Sequence, residues 1–198
     1  MRNKKLQSGY TLIELLAVMI ILTTVGLIIT SILASSLRSG NKSTTTNDIR
    51  QVGNDAMAQM SKMIEYAKSF DGVSSDNLSP HVWSNCVVPS VIPTSPTPTP
   101  ITYYSVEITS FDGGQTIFNC ANTVLSSQSA GMITNLNPIN TDATCSFTCN
   151  QSSALAAPTI DINLTLKRKA QSGGLPFLPE AQTVINFQTS VTLRNSGL

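Results

Sequence analysis

The chain has 198 residues, enough for one domain plus an extended element. Twelve basic and eleven acidic side chains give a formal charge of +1, so no global basic field argues for nucleic-acid binding. Charged residues make up only 12%, and Ser, Thr and Asn are abundant, a balance ordinary for an exported β-rich protein and uncommon for a cytosolic enzyme.

A short basic leader (Arg2, Lys4, Lys5) comes first. Gly9-Tyr10-Thr11-Leu12-Ile13-Glu14 follows and opens an apolar run from Leu12 to about Ala34. That run is 23 residues, close to the roughly 20 a helix needs to cross a hydrocarbon core. Basic residues on its N-terminal side keep that end cytoplasmic and send the remainder across. A carboxylate at Glu14, inside membrane-length apolar sequence, is costly without a compensating partner.

The leader and the hexapeptide together resemble the processing signature of the type IV pilin and type II secretion pseudopilin superfamily. The resemblance implies cleavage between Gly9 and Tyr10 by a prepilin peptidase and methylation of the new Tyr10 amine. It implies that Glu14 pairs with the terminal amine of a neighbouring subunit during filament assembly. Tyr10 stands where the family usually has Phe and keeps the ring. The implied partners are other pilin or pseudopilin subunits, the peptidase, an inner-membrane assembly platform and, before assembly, membrane lipids. No cofactor and no enzymatic role are implied. Removal of the leader leaves nine basic against eleven acidic side chains, a formal −2.

The competing reading of the apolar run is a cleaved secretory signal, with Ala34-Ser35-Ser36 as its cleavage site, or a plain signal anchor. Glu14 at the start of the apolar region and a helical pattern that continues past Ala34 argue against it.

Ile49, Val52, Ala56, Met60, Met63, Ile64, Ala67 and Phe70 recur at three- and four-residue steps. They form one stripe of an amphipathic helix, with Met57 just outside it and Asp71-Gly72 as its stop. Asp48, Arg50, Asp55, Lys62, Glu65 and Lys68 lie opposite. A helix from Tyr10 to Phe70 would extend about 90 Å if unbroken. The expected organisation is a leader at 1–9, a transmembrane or filament-core helix at 10–38, an amphipathic half at 39–71 and a β-rich head at 72–198. The polar stretch Ser39–Asn47 is the expected weak point of the helix, with Gly26 as a second soft position. Many pilins carry a Pro in this helix; here the first is Pro80, which leans the resemblance towards a minor pilin or pseudopilin.

Five prolines between Pro89 and Pro100 favour polyproline II and a solvated loop, open to O-glycans. Ile101–Ser110 reads as a strand, Asp112-Gly113-Gly114 as a tight turn and Gln115–Cys120 as the return. Ala121–Asn140 is ambiguous, with Val124–Leu125 and Met132–Leu136 as short candidates. Thr144–Cys149 alternates as a strand. Ile160, Ile162, Leu164 and Leu166 share one face of another, and Ile185, Phe187, Thr189, Val191 and Leu193 share one face of the last. A loop with Gly173-Gly174, Pro176 and Pro179 joins these two. The closing strand also resembles that of minor pilins with large heads. The fold class is α+β, pilin-like: a long helix packed on an antiparallel sheet.

Cys86, Cys120, Cys145 and Cys149 all follow the apolar segment. An even count in an exported domain points to disulfides; free thiols, and a four-thiolate metal site at irregular spacing, are the alternatives. With Thr144–Cys149 extended, Cys145 and Cys149 lie about 13 Å apart, too far to bond each other, and the two cross-pairings with Cys86 and Cys120 stay open.

No catalytic constellation stands out. His81 is the single histidine. Asp71 with Asp76, or Asp112 with Asp142, match no calcium loop and read as turn or cap residues. Lys167-Arg168-Lys169 is a candidate contact for DNA and reads first as a solvated edge guard. Trp83 with Tyr103 and Tyr104 is a candidate sugar-stacking face and reads first as packing. A membrane-anchored domain that binds glycans or a surface without polymerising is the second functional hypothesis.

Overall fold

The computed structural model describes residues 11–76, 80–86, 101–151, 156–169 and 183–194. The Pro-rich segment 89–100 and the loop holding Gly173-Gly174, Pro176 and Pro179 lie outside them. Two compact units are present, Met1–Ser43 and Thr44–Leu198. A single helix, α1 (Leu12–Glu65), runs without interruption through Gly26 and through Ser39–Asn47, where sequence alone suggests a weak point.

In the second unit the helix buries Thr45, Ile49, Gly53, Ala56, Met57, Met60 and Ile64, a stripe at three- and four-residue steps. Met57, set outside the stripe by spacing, is buried as well. The helix stops at Glu65, five residues before the expected end. The Glu65 carbonyl accepts a hydrogen bond from the Arg194 amide at 3.2 Å, and the Lys68 amide already donates to Thr109. Ala67 and Phe70 still face the core, but from a turn and a strand. The three-residue step continues the helical period, and pairing of Ser69 and Phe70 with a neighbouring strand, Ser105–Thr109, overrides it.

Among the described residues nine strands follow: β1 (Ser69–Ser74), β2 (Thr102–Tyr103), β3 (Ser105–Thr109), β4 (Gln115–Ala121), β5 (Val124–Ser129), β6 (Met132–Asn135), β7 (Thr141–Asn150), β8 (Thr159–Arg168) and β9 (Val184–Thr192). They form two antiparallel sheets where the sequence suggests one: β1-β3-β4-β5-β6 and β2-β7-β8-β9. The expected strand Ile101–Ser110 is divided between them. β2 pairs with β7, β3 pairs with β1 and β4, and the chain changes sheet at Tyr104, whose amide donates to Ser74 and whose carbonyl accepts from Cys120. Asp71-Gly72 sits at an irregularity in β1 instead of ending the helix. The 112–114 turn forms as its sequence dictates, with the Asp112 carboxylate accepting from the Gly114 amide at 2.9 Å.

Inner faces of both sheets and the helix stripe share one core. Val106, Ile108 and Phe118 come from the first sheet, Phe147, Ile160, Ile162, Leu164 and Leu166 from the second, and Met60 and Ile64 from the helix. The alternation read for β8 and β9 appears as burial of the predicted faces, although Ile185 and Phe187 stay partly exposed. Phe187 lies against Gly53: a Cβ there would fall 2.1 Å from the end of the ring. A glycine in mid-helix is therefore a packing requirement.

The sheets meet at β7. The Ala143 amide donates to Thr123 at 2.8 Å, and buried Asn137 ties the same corner. Its Oδ1 accepts from the Leu125 amide and its Nδ2 donates to the Thr141 carbonyl, both at 2.8 Å. Two disulfides complete the join. Cys120–Cys145 links β4 to β7 across the sheets, and Cys86–Cys149 links residues 80–86 to β7. β7 is extended, so the two cysteines it carries bond outward, as the spacing requires.

Gly53→Ala is expected to destabilise the fold. The helix-propensity gain is about 1 kcal/mol, and overpacking costs about 1–3 kcal/mol. In a Phe187→Leu background the same change becomes neutral or stabilising, a coupling that urea unfolding of the four proteins measures. Chain-entropy arguments assign each disulfide about 3–4 kcal/mol. Replacing the Cys120/Cys145 pair with serine therefore lowers the urea midpoint clearly; an unchanged midpoint would contradict the role given to that bond.

Candidate functional site

The first unit presents an unusual surface. Sixteen large apolar side chains between Leu12 and Leu37 are exposed, on every side of the helix. An 18-residue window reaches a mean hydropathy of 2.7 with none of it buried. At about 1.5–3 kcal/mol per fully buried side chain, leaving this surface in water forfeits tens of kcal/mol. Such a helix is long and apolar enough to cross a membrane.

Polar atoms within the segment are already satisfied. The Thr23 hydroxyl donates to the Met19 and Ile20 carbonyls at 3.0 and 2.9 Å, and Thr24 donates to Ile21 at 2.9 Å. Thr30 donates to Gly26 at 2.6 Å and Ser31 to Ile28 at 2.8 Å. Each hydroxyl returns to its own helix and makes no demand on an apolar environment.

Glu14 is the exception. It is the one ionisable residue between Leu12 and Leu37 and lies in the first turn. Thr11 starts the helix: its carbonyl accepts from the Glu14 and Leu15 amides at 3.1 and 3.2 Å. A carboxylate in a first turn is favoured by the positive end of the helix dipole. The Glu14 side chain is exposed, in position to meet a cation from outside the chain. Gly9 and Tyr10, the expected processing positions, lie outside the described residues.

The remaining candidates are dispersed. Lys167 and Lys169 are exposed, but Arg168 turns to the helix and donates to the Thr45 hydroxyl, so the basic run does not present three cations together. Asp142 lies opposite Lys167 in the β7–β8 register, far in the chain from the Asp112 turn. Asp71 accepts from Ser69 and Thr109, while the Asp76 carbonyl faces the His81 ring. No group of three or more His, Cys, Asp or Glu side chains suited to a metal is gathered among the described residues. Trp83 packs on His81, with ring centroids 5.2 Å apart, while Tyr103 belongs to the other sheet, so the aromatic trio expected for sugar stacking is not assembled.

Two features are missing from the sequence reading. Arg194 closes the end of β9 on the helix: it forms an ion pair with Glu65 at 2.8 Å and lies over the Tyr66 ring at 5.4 Å. Glu107 is buried on β3, and burial first, then the Asp71 charge, push its carboxyl above the usual glutamate range. No spacing rule finds either one, because both partnerships join residues remote in the chain.

Residues 4–30 match the family model for the prokaryotic N-terminal methylation motif, a span that holds the hexapeptide and most of the apolar run. No curated protein and no solved structure matches the chain. A methylation motif at the start of a membrane-length helix, whose second half packs on antiparallel β-sheets, gives the chain a pilin-like architecture.

Proposed function

We propose that this chain is a structural subunit of a filament built by a type IV pilus, competence or pseudopilus machine, in a minor or tip position. On this reading a prepilin peptidase cuts between Gly9 and Tyr10, and the Tyr10 amine is methylated. The apolar helix holds the subunit in the cytoplasmic membrane with the head exported. An assembly platform then lifts it into the filament, where the helices of neighbouring subunits cover one another. Glu14 meets the terminal amine of an adjacent subunit and sets the register.

The observation that carries this reading is a motif-bearing helix that is apolar all round except at Glu14. Lipid satisfies the apolar surface and leaves the carboxylate uncompensated, at about 2.5–3.5 kcal/mol for a buried acid. A packed bundle of like helices satisfies both when each supplies an amine. The absence of Pro before Pro80 and the large β-rich head support the minor-subunit assignment.

Mass spectrometry of the processed chain is expected to give a methylated N-terminal Tyr10; a chain that begins after Ala34 rejects the proposal. Glu14→Ala is expected to keep membrane insertion and reduce incorporation into filaments by an order of magnitude or more, as scored in sheared surface fractions. Unchanged incorporation would assign the carboxylate no part in assembly.

A further inference from the structure

Glu107 occupies a place that no packing argument requires. Val106 and Ile108, on either side of it, enter the core, so Glu107 points to the opposite face of the first sheet. That face is normally wet, yet Glu107 is only 9% exposed. Its register partners are Gly72 on β1 and Ile117 on β4, and neither offers a side-chain donor. Two titratable groups act on it. Asp71, at the irregularity of β1, repels its charge, and His81 opposes that repulsion. β4 contributes no charge at this position.

Residues 80–86 run beside this position: the Trp83 Cβ approaches Gly72, the register partner of Glu107. The Val73 and Ser84 amides and carbonyls exchange two hydrogen bonds of 2.9 Å along the edge of β1, and Cys86 fixes the far end through Cys149. The approach requires Gly72. A Cβ there would lie 3.2 Å from the Ser84 carbonyl and the Trp83 Cβ, and its φ of +157 is uncommon for other residues. The strap carries His81 and Trp83 in tilted ring contact.

We propose that Glu107 is a proton-controlled latch for this strap. With the carboxyl protonated, a neutral group lies beside residues 80–86 and the strap stays seated on β1. When the proton leaves, two carboxylates face each other with only His81 to offset them, and the strap lifts to admit water while Cys86–Cys149 keeps it tethered. The ligand of this site is the proton. The unfolded chain feels neither burial nor Asp71, so the fold gains stability as pH falls from above the raised Glu107 value towards the ordinary one. It keeps that gain below the ordinary value and loses it as pH rises.

Trp83 is the single tryptophan and reports on the strap directly. His81 contacts its ring, so the measurement uses the full chain in detergent with His81→Gln. Its emission is expected to shift to longer wavelength with a single midpoint as pH rises from 4 to 8. Adding Glu107→Gln removes the transition and holds the strap seated throughout. Adding Asp71→Asn instead moves the midpoint to lower pH. Thermal unfolding follows the same pattern: Tm rises on acidification with Glu107 present and becomes flatter with Gln. An emission curve without a transition in His81→Gln, or a transition that survives Glu107→Gln, overturns the proposal.

Discussion

A helix that must satisfy two different surroundings constrains this protein more than any other feature. From Leu12 to Leu37 its side chains are apolar on all sides and exposed. From Thr45 to Ile64 it is apolar along one stripe, and that stripe is the lid of a folded core. No break in the backbone, which stays helical through Ser39–Asn47, separates the halves. What changes is the solvent each half can tolerate. The first demands lipid or other apolar helices, and the second demands a sheet on one side and water on the other.

Glu14 takes its meaning from that demand. The four hydroxyls of the apolar segment bond back to the helix, so they neither require nor specify a partner. The Glu14 carboxylate carries a full charge that the helix dipole offsets only in part, and it is exposed in the first turn. It is the one ionisable group between Leu12 and Leu37.

The head solves a different problem. Its charge density is low, and the ion pair found between Arg194 and Glu65 is partly exposed, worth at most about 1 kcal/mol. Cohesion comes from one core shared by two sheets and from covalent joins. β7 is the common member: it carries both cysteines that bond outward, meets the β4–β5 turn through the Thr123 carbonyl and pairs with β2 and β8. The Cys120–Cys145 bond lies at the seam between the two sheets.

The amino-acid sequence by itself determined the elements whose signal is local. The membrane-length run with Glu14 follows from composition. The stripe at Ile49, Ala56, Met60 and Ile64 follows from a period near 3.6, and the faces of β8 from a period of two. The Asp112 turn follows from its side-chain cap, and the ban on a Cys145–Cys149 bond from strand geometry. Tertiary structure alone decided where the helix yields to β1, because Ala67 and Phe70 continue the helix spacing and only the pairing of Ser69 and Phe70 with β3 overrides it. It alone divided Ile101–Ser110 between two sheets, chose Cys86–Cys149 with Cys120–Cys145, turned Arg168 towards Thr45 and buried Glu107. Each of these outcomes joins groups far apart along the chain, and contacts of that kind leave no periodic trace in the residues that make them.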